Sequence, residues 1–151
     1  MYTEDEVIEL LKALPPECEF IDYKQTGYKK EKQGYFLKDV LSILNAYTAF
    51  GRNRFIIIGI DDNRGLVGIS EQEKRDDNEY QNWLNKISPR PIVNTGHIQY
   101  DNKVFEIVCI NKENDGQIYE LLQGVNIQPI HEGQTFYRQG SQNAVLTEEV
   151  R

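Results

Sequence analysis

Glu17, Asp22 and Lys24 stand close together in the chain, and Asp62 lies just beyond the apolar run Phe55-Ile-Ile-Ile-Gly-Ile60. If that run is a central strand and the strand of Asp22 lies beside it, two or three carboxylates and one ammonium group converge at one edge of a sheet. Open α/β sheets favour that position for their sites. Hard cations such as Mg²⁺ or Mn²⁺ prefer oxygen ligands of this kind, and a metal held by carboxylates activates water and neutralises charge on a phosphoryl centre. A lysine two residues beyond a metal-binding acid can stabilise a pentacovalent transition state or orient the attacking water. Acid-x-Lys triplets are also common on solvated surfaces, and the residue types alone leave both readings open.

A second group of residues is cationic. Residues 1 to 22 hold seven acids against Lys12, a local balance of -6, whereas Lys24, Lys29, Lys30, Lys32 and Lys38 face only Glu31 across residues 24 to 38, a balance of +4. The segment is either a solvated loop or a phosphate-facing patch. Tyr28, Tyr35 and Tyr47 lie near it, where rings could stack on unpaired bases or pack against the following helix. Arg138 and Ser141 flank Gly140 in a turn, where a guanidinium fork and a hydroxyl could hold a phosphate oxygen, or simply end a strand. Arg52 and Arg54 stand at the opposite end of the apolar run from Asp62, so contact with a partner or solvent is expected of them. The net charge of -7 and pI near 4.9 argue against a sequence-blind nucleic-acid coat, which would be basic overall.

Other chemistries find little support. Cys18 and Cys109 sit in no CxxC pair and beside no histidine at ligand spacing, so both read as reduced packing residues. His97 and His131 read as strand or surface histidines, which leaves no zinc site. The serines lack a GxSxG context, and no GxxxxGK[ST] phosphate loop occurs, so neither acyl transfer nor ATP hydrolysis by this domain is expected. Glu4, Asp5 and Glu6 occupy the place where a signal peptide carries positive charge, and the longest apolar run is too short to span a bilayer. The expectation is a cytoplasmic protein with no membrane association.

The elements that must position these residues follow from periodicity. Thr3 and Glu6 form a capping-box pattern ahead of Val7, Leu10, Leu11 and Leu14, which predicts a helix ended by Pro15-Pro16. Residues 19 to 24 alternate, with Ile21 and Tyr23 on one face and Phe20, Asp22 and Lys24 on the other. A helix is predicted from Tyr35 to about Tyr47, and Arg54 to Ile60 reads as a strand buried on both faces. Asp61 to Gly65 is a turn and Leu66 to Ile69 the next strand. Tyr80, Trp83, Leu84 and Ile87 mark a short helix whose aromatic residues read as core. Residues 92 to 100 and 104 to 110 form two strands around Asp101-Asn102-Lys103, and Thr135 to Gln139 the last strand. The fold class is α/β (α+β), a single domain over 1-151 with a mixed β-sheet and helices packed on it.

Five blocks together carry a resemblance. Glu17-Cys-Glu-Phe-Ile-Asp22-Tyr-Lys24, Lys38-Asp-Val-Leu-Ser-Ile-Leu-Asn45-Ala, Phe55-Ile-Ile-Ile-Gly59-Ile-Asp61-Asp62, Gly65-Leu-Val-Gly68-Ile and Tyr137-Arg138-Gln-Gly140-Ser141 fall in the order of the Schlafen AlbA-type domain, which this sequence resembles. Members of that family act on or bind nucleic acid. In its ribonuclease members three acids form a metal-dependent site that cuts structured RNA, notably transfer RNA. The resemblance matches those acids to Glu17, Asp22 and Asp62. It thus implies a metal-dependent endoribonuclease in which these three hold Mg²⁺ or Mn²⁺ and Lys24 supports the transition state. RNA would approach along Lys29, Lys30, Lys32 and Arg138, with Ser141 at the turn. The chain departs from the animal members in having Asp22 where glutamate is usual, as bacterial-looking relatives do, and in a longer stretch from Asn45 to Arg54. The alternatives are a non-catalytic DNA- or RNA-binding or regulatory module in which the acids pair with Lys24, and a protein-interaction domain that dimerises or tethers a larger machine. Family members are often labelled ATP-binding, which the missing phosphate loop does not support here. The absence of a distinctive tail after Arg151 fits a piece of a longer parent protein.

Overall fold

The computed structural model describes residues 2–46, 53–111, 117–131 and 134–146; Tyr47 and Arg52 lie outside them. Thr3 caps helix α1 (Glu4–Ala13), its hydroxyl accepting from the Glu6 amide at 3.1 Å, and Leu14 ends it in the left-handed region at φ 44. Strand β1 (Ile21–Lys24) leads through a 3₁₀ turn at Lys30–Lys32 into α2 (Gln33–Leu44), and then to β2 (Asn53–Ile58). Helix α3 (Asp77–Leu84) and the short β3 (Ile87–Ser88) precede the long hairpin of β4 (Ile92–Tyr100) and β5 (Lys103–Asn111). Asp101 and Asn102, at φ 53 and 58, make its two-residue turn, a conformation these two residue types tolerate. The short β6 (Glu120–Leu121) pairs with β3, and β7 (Phe136–Gln139) pairs with β8 (Gln142–Val145).

The main sheet has the order β1-β2-β5-β4, with β1 parallel to β2 and the other pairs antiparallel, so it is mixed as expected. The β-branched run of β2 is buried on both faces: Ile56 and Ile58 pack beneath α2 and α3, while Phe55 and Ile57 pack against Val7 and Leu11 of α1. Helices thus cover both faces of the sheet, each burying one apolar stripe. Tyr80 and Trp83 pack edge to face with centroids 5.4 Å apart, as core residues. No helix among the described residues is long and apolar enough to cross a membrane.

Several expectations are corrected. Leu66 to Ile69 is not a strand. After a single bridge between Ile60 and Leu66, the Val67 and Gly68 amides both donate to the Gly59 carbonyl, at 2.9 and 2.8 Å. A Cβ on Gly59 would lie 3.0 Å from the Gly68 Cα, so this loop closes only because both positions are glycine. Helix α2 ends at Leu44, before Tyr47, because Asn45 is engaged elsewhere. Its amide donates to the Tyr119 and Phe136 carbonyls at 2.9 and 2.8 Å, and its carbonyl oxygen accepts from the Tyr119 amide at 2.8 Å. Arg54 faces neither solvent nor a partner: it is fully buried and donates to the Ile43 carbonyl at the end of α2. His97 is a strand histidine, and β4–β5 register sets it opposite buried Glu106, with Nε2 2.8 Å from Oε1. Glu106 also accepts from the Arg75 amide at 2.8 Å and from the Tyr80 hydroxyl.

Candidate functional site

The two-residue period of β1 sends Ile21 and Tyr23 into the α1-side core and turns Asp22 and Lys24 to the α2 side. Parallel pairing sets Asp22 opposite Ile56, so the strand of Asp22 does neighbour the central strand. Asp22 is 4% exposed, and its Oδ1 accepts from Arg138 Nη2 at 3.0 Å. Arg138 uses its other nitrogens as well: Nε donates to the Cys18 carbonyl at 3.1 Å and Nη1 to Asn143 Oδ1 at 2.8 Å. Lys24 Nζ lies 3.4 Å from Asp22 Oδ2 and 3.3 Å from Asp39 Oδ2. Asp39 comes from α2 and also accepts from the Tyr28 hydroxyl at 2.5 Å and from the Asn143 amide at 2.8 Å. Burial alone would raise the Asp22 carboxyl, but the hydrogen bond with Glu17 and the charges of Lys24 and Arg138 outweigh it and hold the group below the usual aspartate range. For Lys24, burial works against the charge, yet Asp39 and Asp22 win and push its pKa up.

Glu17 approaches from the segment before β1, its Oε2 accepting from the Tyr23 amide at 3.1 Å. Its pKa is pushed up to about 7, first by the hydrogen bond it shares with Asp22 and then by burial. Two carboxylates in contact keep one proton between them, and Asp22, beside two cations, is the one that ionises. The folded state therefore holds a proton on Glu17 that the unfolded chain releases in the ordinary glutamate range. Its contribution to stability is fully present at acid pH and is lost as pH rises toward about 7. Carboxyl-selective NMR should record Glu17 titrating near 7, and Asp22→Asn should return it most of the way to the ordinary range; an unchanged Glu17 in that variant would remove Asp22 as the cause.

Glu17, Asp62, Arg64 and Ser141 line one cleft of about 300 Å³ beyond the carboxyl ends of β1 and β2. The two acids after β2 have separate roles. Asp61 Oδ1 accepts from the Asn63 and Gly65 amides at 2.9 and 2.7 Å and so shapes the turn, whereas Asp62 is exposed at the rim. Glu17 joins this acidic cleft to Asp22, and the Asp22–Lys24 pair joins it in turn to a basic cleft of about 480 Å³. Lys24, Lys29, Lys32, Tyr35 and Lys38 line that second cleft, with Asp39 and Asn143 among its walls. Lys29, Lys30 and Lys32 are exposed. Among the described residues, neither these three nor Lys38 is in an ion pair.

The structure thus brings Glu17 against Asp22, and Asp62 and Ser141 into one cleft with Glu17. Among the described residues, however, no three His, Cys, Asp or Glu side chains stand close enough together to hold a metal ion. Asp22 Oδ2 is buried without a hydrogen bond of good geometry but lies 3.4 Å from the Lys24 ammonium, so the charge nearest to it is already a cation of this chain. Arg138, expected on the path of RNA, is 4% exposed with its fork turned inward, because the register of β7 points it at β1. Tyr28 is buried on Asp39, whereas Tyr35 is exposed. Asp39, Asn143 and Arg64 escaped the sequence reading. Only Asp39 carried a signal there, as an acid on the otherwise apolar face of Phe36, Val40 and Ile43.

Comparison with known proteins follows the same outline. The chain is similar in fold to the crystal structure of the DIP2311 protein from Corynebacterium diphtheriae, with a TM-score of 0.57, 12% identity, and coverage of 94% of this chain and 29% of that one. It is also similar to the solution structure of the N-terminal domain of a RecG-related protein from Nitrosomonas europaea, with a TM-score of 0.45, 13% identity, and coverage of 88% of this chain and 97% of that one. No curated protein matches the sequence. The family model described as Schlafen, AlbA_2 matches residues 17–147, from the first acid of the cleft to just past the closing ribbon, and the chain belongs to that family.

Proposed function

We propose that this domain binds nucleic acid, with RNA favoured over DNA, along the face bearing Lys29, Lys30, Lys32 and Lys38. The observation that carries the reading is that these four lysines, in a chain of net charge -7, have no acid partner among the described residues. Unneutralised cations gathered on one side of an acidic protein suit a polyanion, and the acidic remainder disfavours wrapping it indiscriminately. Lys24 is not counted with them, since Asp22 and Asp39 already engage its charge. Binding should weaken steeply with added salt, log K falling by about 0.7 per phosphate neutralised on a single strand per unit of log salt. An affinity indifferent to salt would point to an apolar protein partner instead.

A second reading, a metal-dependent endoribonuclease acting on structured RNA such as transfer RNA, rests on the raised proton affinity of Glu17 beside Asp22 and on Asp62 across the same cleft. Glu17, Asp22 and Asp62 are the residues that would hold Mg²⁺ or Mn²⁺. Such a cation, when bound, polarises a phosphoryl oxygen and acidifies water. Glu17 must give up its proton to serve as a ligand, so cation affinity should rise as pH climbs through about 7. Lys24 keeps its charge next to these acids, on the side from which the strand would arrive. The test is cleavage of mixed transfer RNA with Mn²⁺ or Mg²⁺, comparing the native chain with Asp62→Ala and with an EDTA control. Loss of cleavage in both supports catalysis. Absence of cleavage by the native chain, with binding unchanged in Asp62→Ala, leaves the binding reading alone.

A further inference from the structure

We infer that the basic cleft takes one unpaired nucleotide, base inward and phosphates on the rim, which makes single-stranded or looped nucleic acid its preferred ligand. The inference rests on the nucleic-acid reading above and names the form of nucleic acid the cleft selects.

Charge in the cleft is layered. Lys29, Lys32 and Lys38 stand around the opening, whereas its inner wall holds the buried carboxylate of Asp39, bonded to Tyr28, Asn143 and Lys24. A phosphate cannot settle on a carboxylate, and it meets three unpaired ammonium groups before reaching one. Phosphates therefore belong at the rim. Asp39 Oδ2 already takes Tyr28 and Lys24, but among the described residues Oδ1 accepts only from Asn143, and its second lone pair suits an N–H on the edge of a base. Tyr35 supplies the stacking surface. It is 45% exposed in the first turn of α2, with Lys32 Nζ 5.2 Å from its ring centroid. Large aromatic rings in this chain are otherwise largely packed inward near the cleft: Tyr28 and Phe136 are 7% and 3% exposed. A half-exposed ring with one lysine over its face combines the π surface that an unpaired base stacks on with the cation that its phosphate needs. The volume of about 480 Å³ lies in the range of small-molecule sites, roughly 300–1,000 Å³, and a duplex cannot enter such a cleft without unstacking.

The test measures fluorescence anisotropy of an unstructured single-stranded RNA and of a blunt-ended duplex of the same sequence, in EDTA so that no strand is cut. The native chain should bind the single strand more tightly. Tyr35→Ala should weaken single-strand binding roughly five- to hundredfold, the span that base–aromatic stacking covers on alanine substitution. Tyr35→Phe should keep it, because stacking needs the ring and not the hydroxyl, and duplex binding should be indifferent to either change. Lys29→Gln should weaken both ligands and lower the salt slope by about 0.7 on the single strand. Equal affinity for both forms, or a Tyr35→Ala variant that binds the single strand as well as the native chain, overturns the inference and leaves the nucleic-acid reading standing. Failure of the native chain to bind either ligand at low salt removes that reading and the inference with it.

Discussion

Arg138→Met should lower the stability of the fold by about 3–5 kcal/mol, the cost of leaving a buried charge without its partner. Methionine approximates the stem of the arginine but removes donors to Asp22, Asn143 and the Cys18 carbonyl at once. Asp22, 4% exposed, would keep Lys24 at 3.4 Å as its one cation, beside the hydrogen bond it shares with Glu17. Urea denaturation reads the loss directly as a lower midpoint at unchanged slope. A second variant separates the charge from the packing: Asp22→Leu combined with Arg138→Met removes both ions and should lose less than Arg138→Met alone, a coupling that a double-mutant cycle measures. The pH dependence has a definite sign. Asp22 is held below its usual range, so its ion pairs stabilise the native fold above the ordinary aspartate pKa, and that contribution fades as pH falls. The gap between native chain and variant should therefore narrow in acid. A deficit under about 1 kcal/mol near neutral pH, the size of an exposed pair, would mean that the guanidinium is replaced by water at little cost.

Gly34→Ala sets two effects of opposite sign against each other. Alanine favours an α-helix over glycine by about 1 kcal/mol, and Gly34 lies in the first turn of α2. A Cβ there, however, would sit 1.8 Å from the Gln128 carbonyl oxygen and 2.7 Å from its carbon. The obstacle is backbone, so no side-chain rotation relieves it, and overpacking of this kind costs about 1–3 kcal/mol or more. Steric cost should prevail. The variant is expected to melt below the native chain, and the start of α2, which carries Tyr35, should shift away from the loop of Gln128. Amide exchange across residues 33–38 would report that shift. A variant as stable as the native chain would mean that the loop yields freely.

What the sequence made legible depends on the range over which each cause acts. Alternation in β1 is local, so Asp22 and Lys24 could be assigned to one face without knowing what covers it, and the two-faced burial of β2 was legible in Phe55 to Ile58 for the same reason. What lies above those faces is a tertiary matter. Arg54 and Arg138 both read as outward-facing cations, yet one is buried beneath the end of α2 and the other inside the Asp22 pair, because their partners are set by packing of distant segments. Leu66 to Ile69 read as a strand returning after the Asp61 to Gly65 turn, but close backbone approach of Gly59 and Gly68 was the real requirement. Strands β3, β6 and β8 are short, and β8 reads Gln-Asn-Ala-Val, with no clean period to detect. Of the candidate site, the types and order of Glu17, Asp22 and Asp62 were visible. The inward fork of Arg138 and the choice of Tyr35 over Tyr28 as the open ring were not.

The β7–β8 ribbon sets Arg138 directly across from Asn143, and these two side chains reach Asp22 and Asp39 on elements made more than a hundred residues earlier. On the ribosome, a nascent chain grown only to β6 has its sheet and both carboxylates but neither of their late partners. Lys24 alone must then offset two acids. The buried acids thus reach their native charge balance only when the ribbon leaves the exit tunnel and closes.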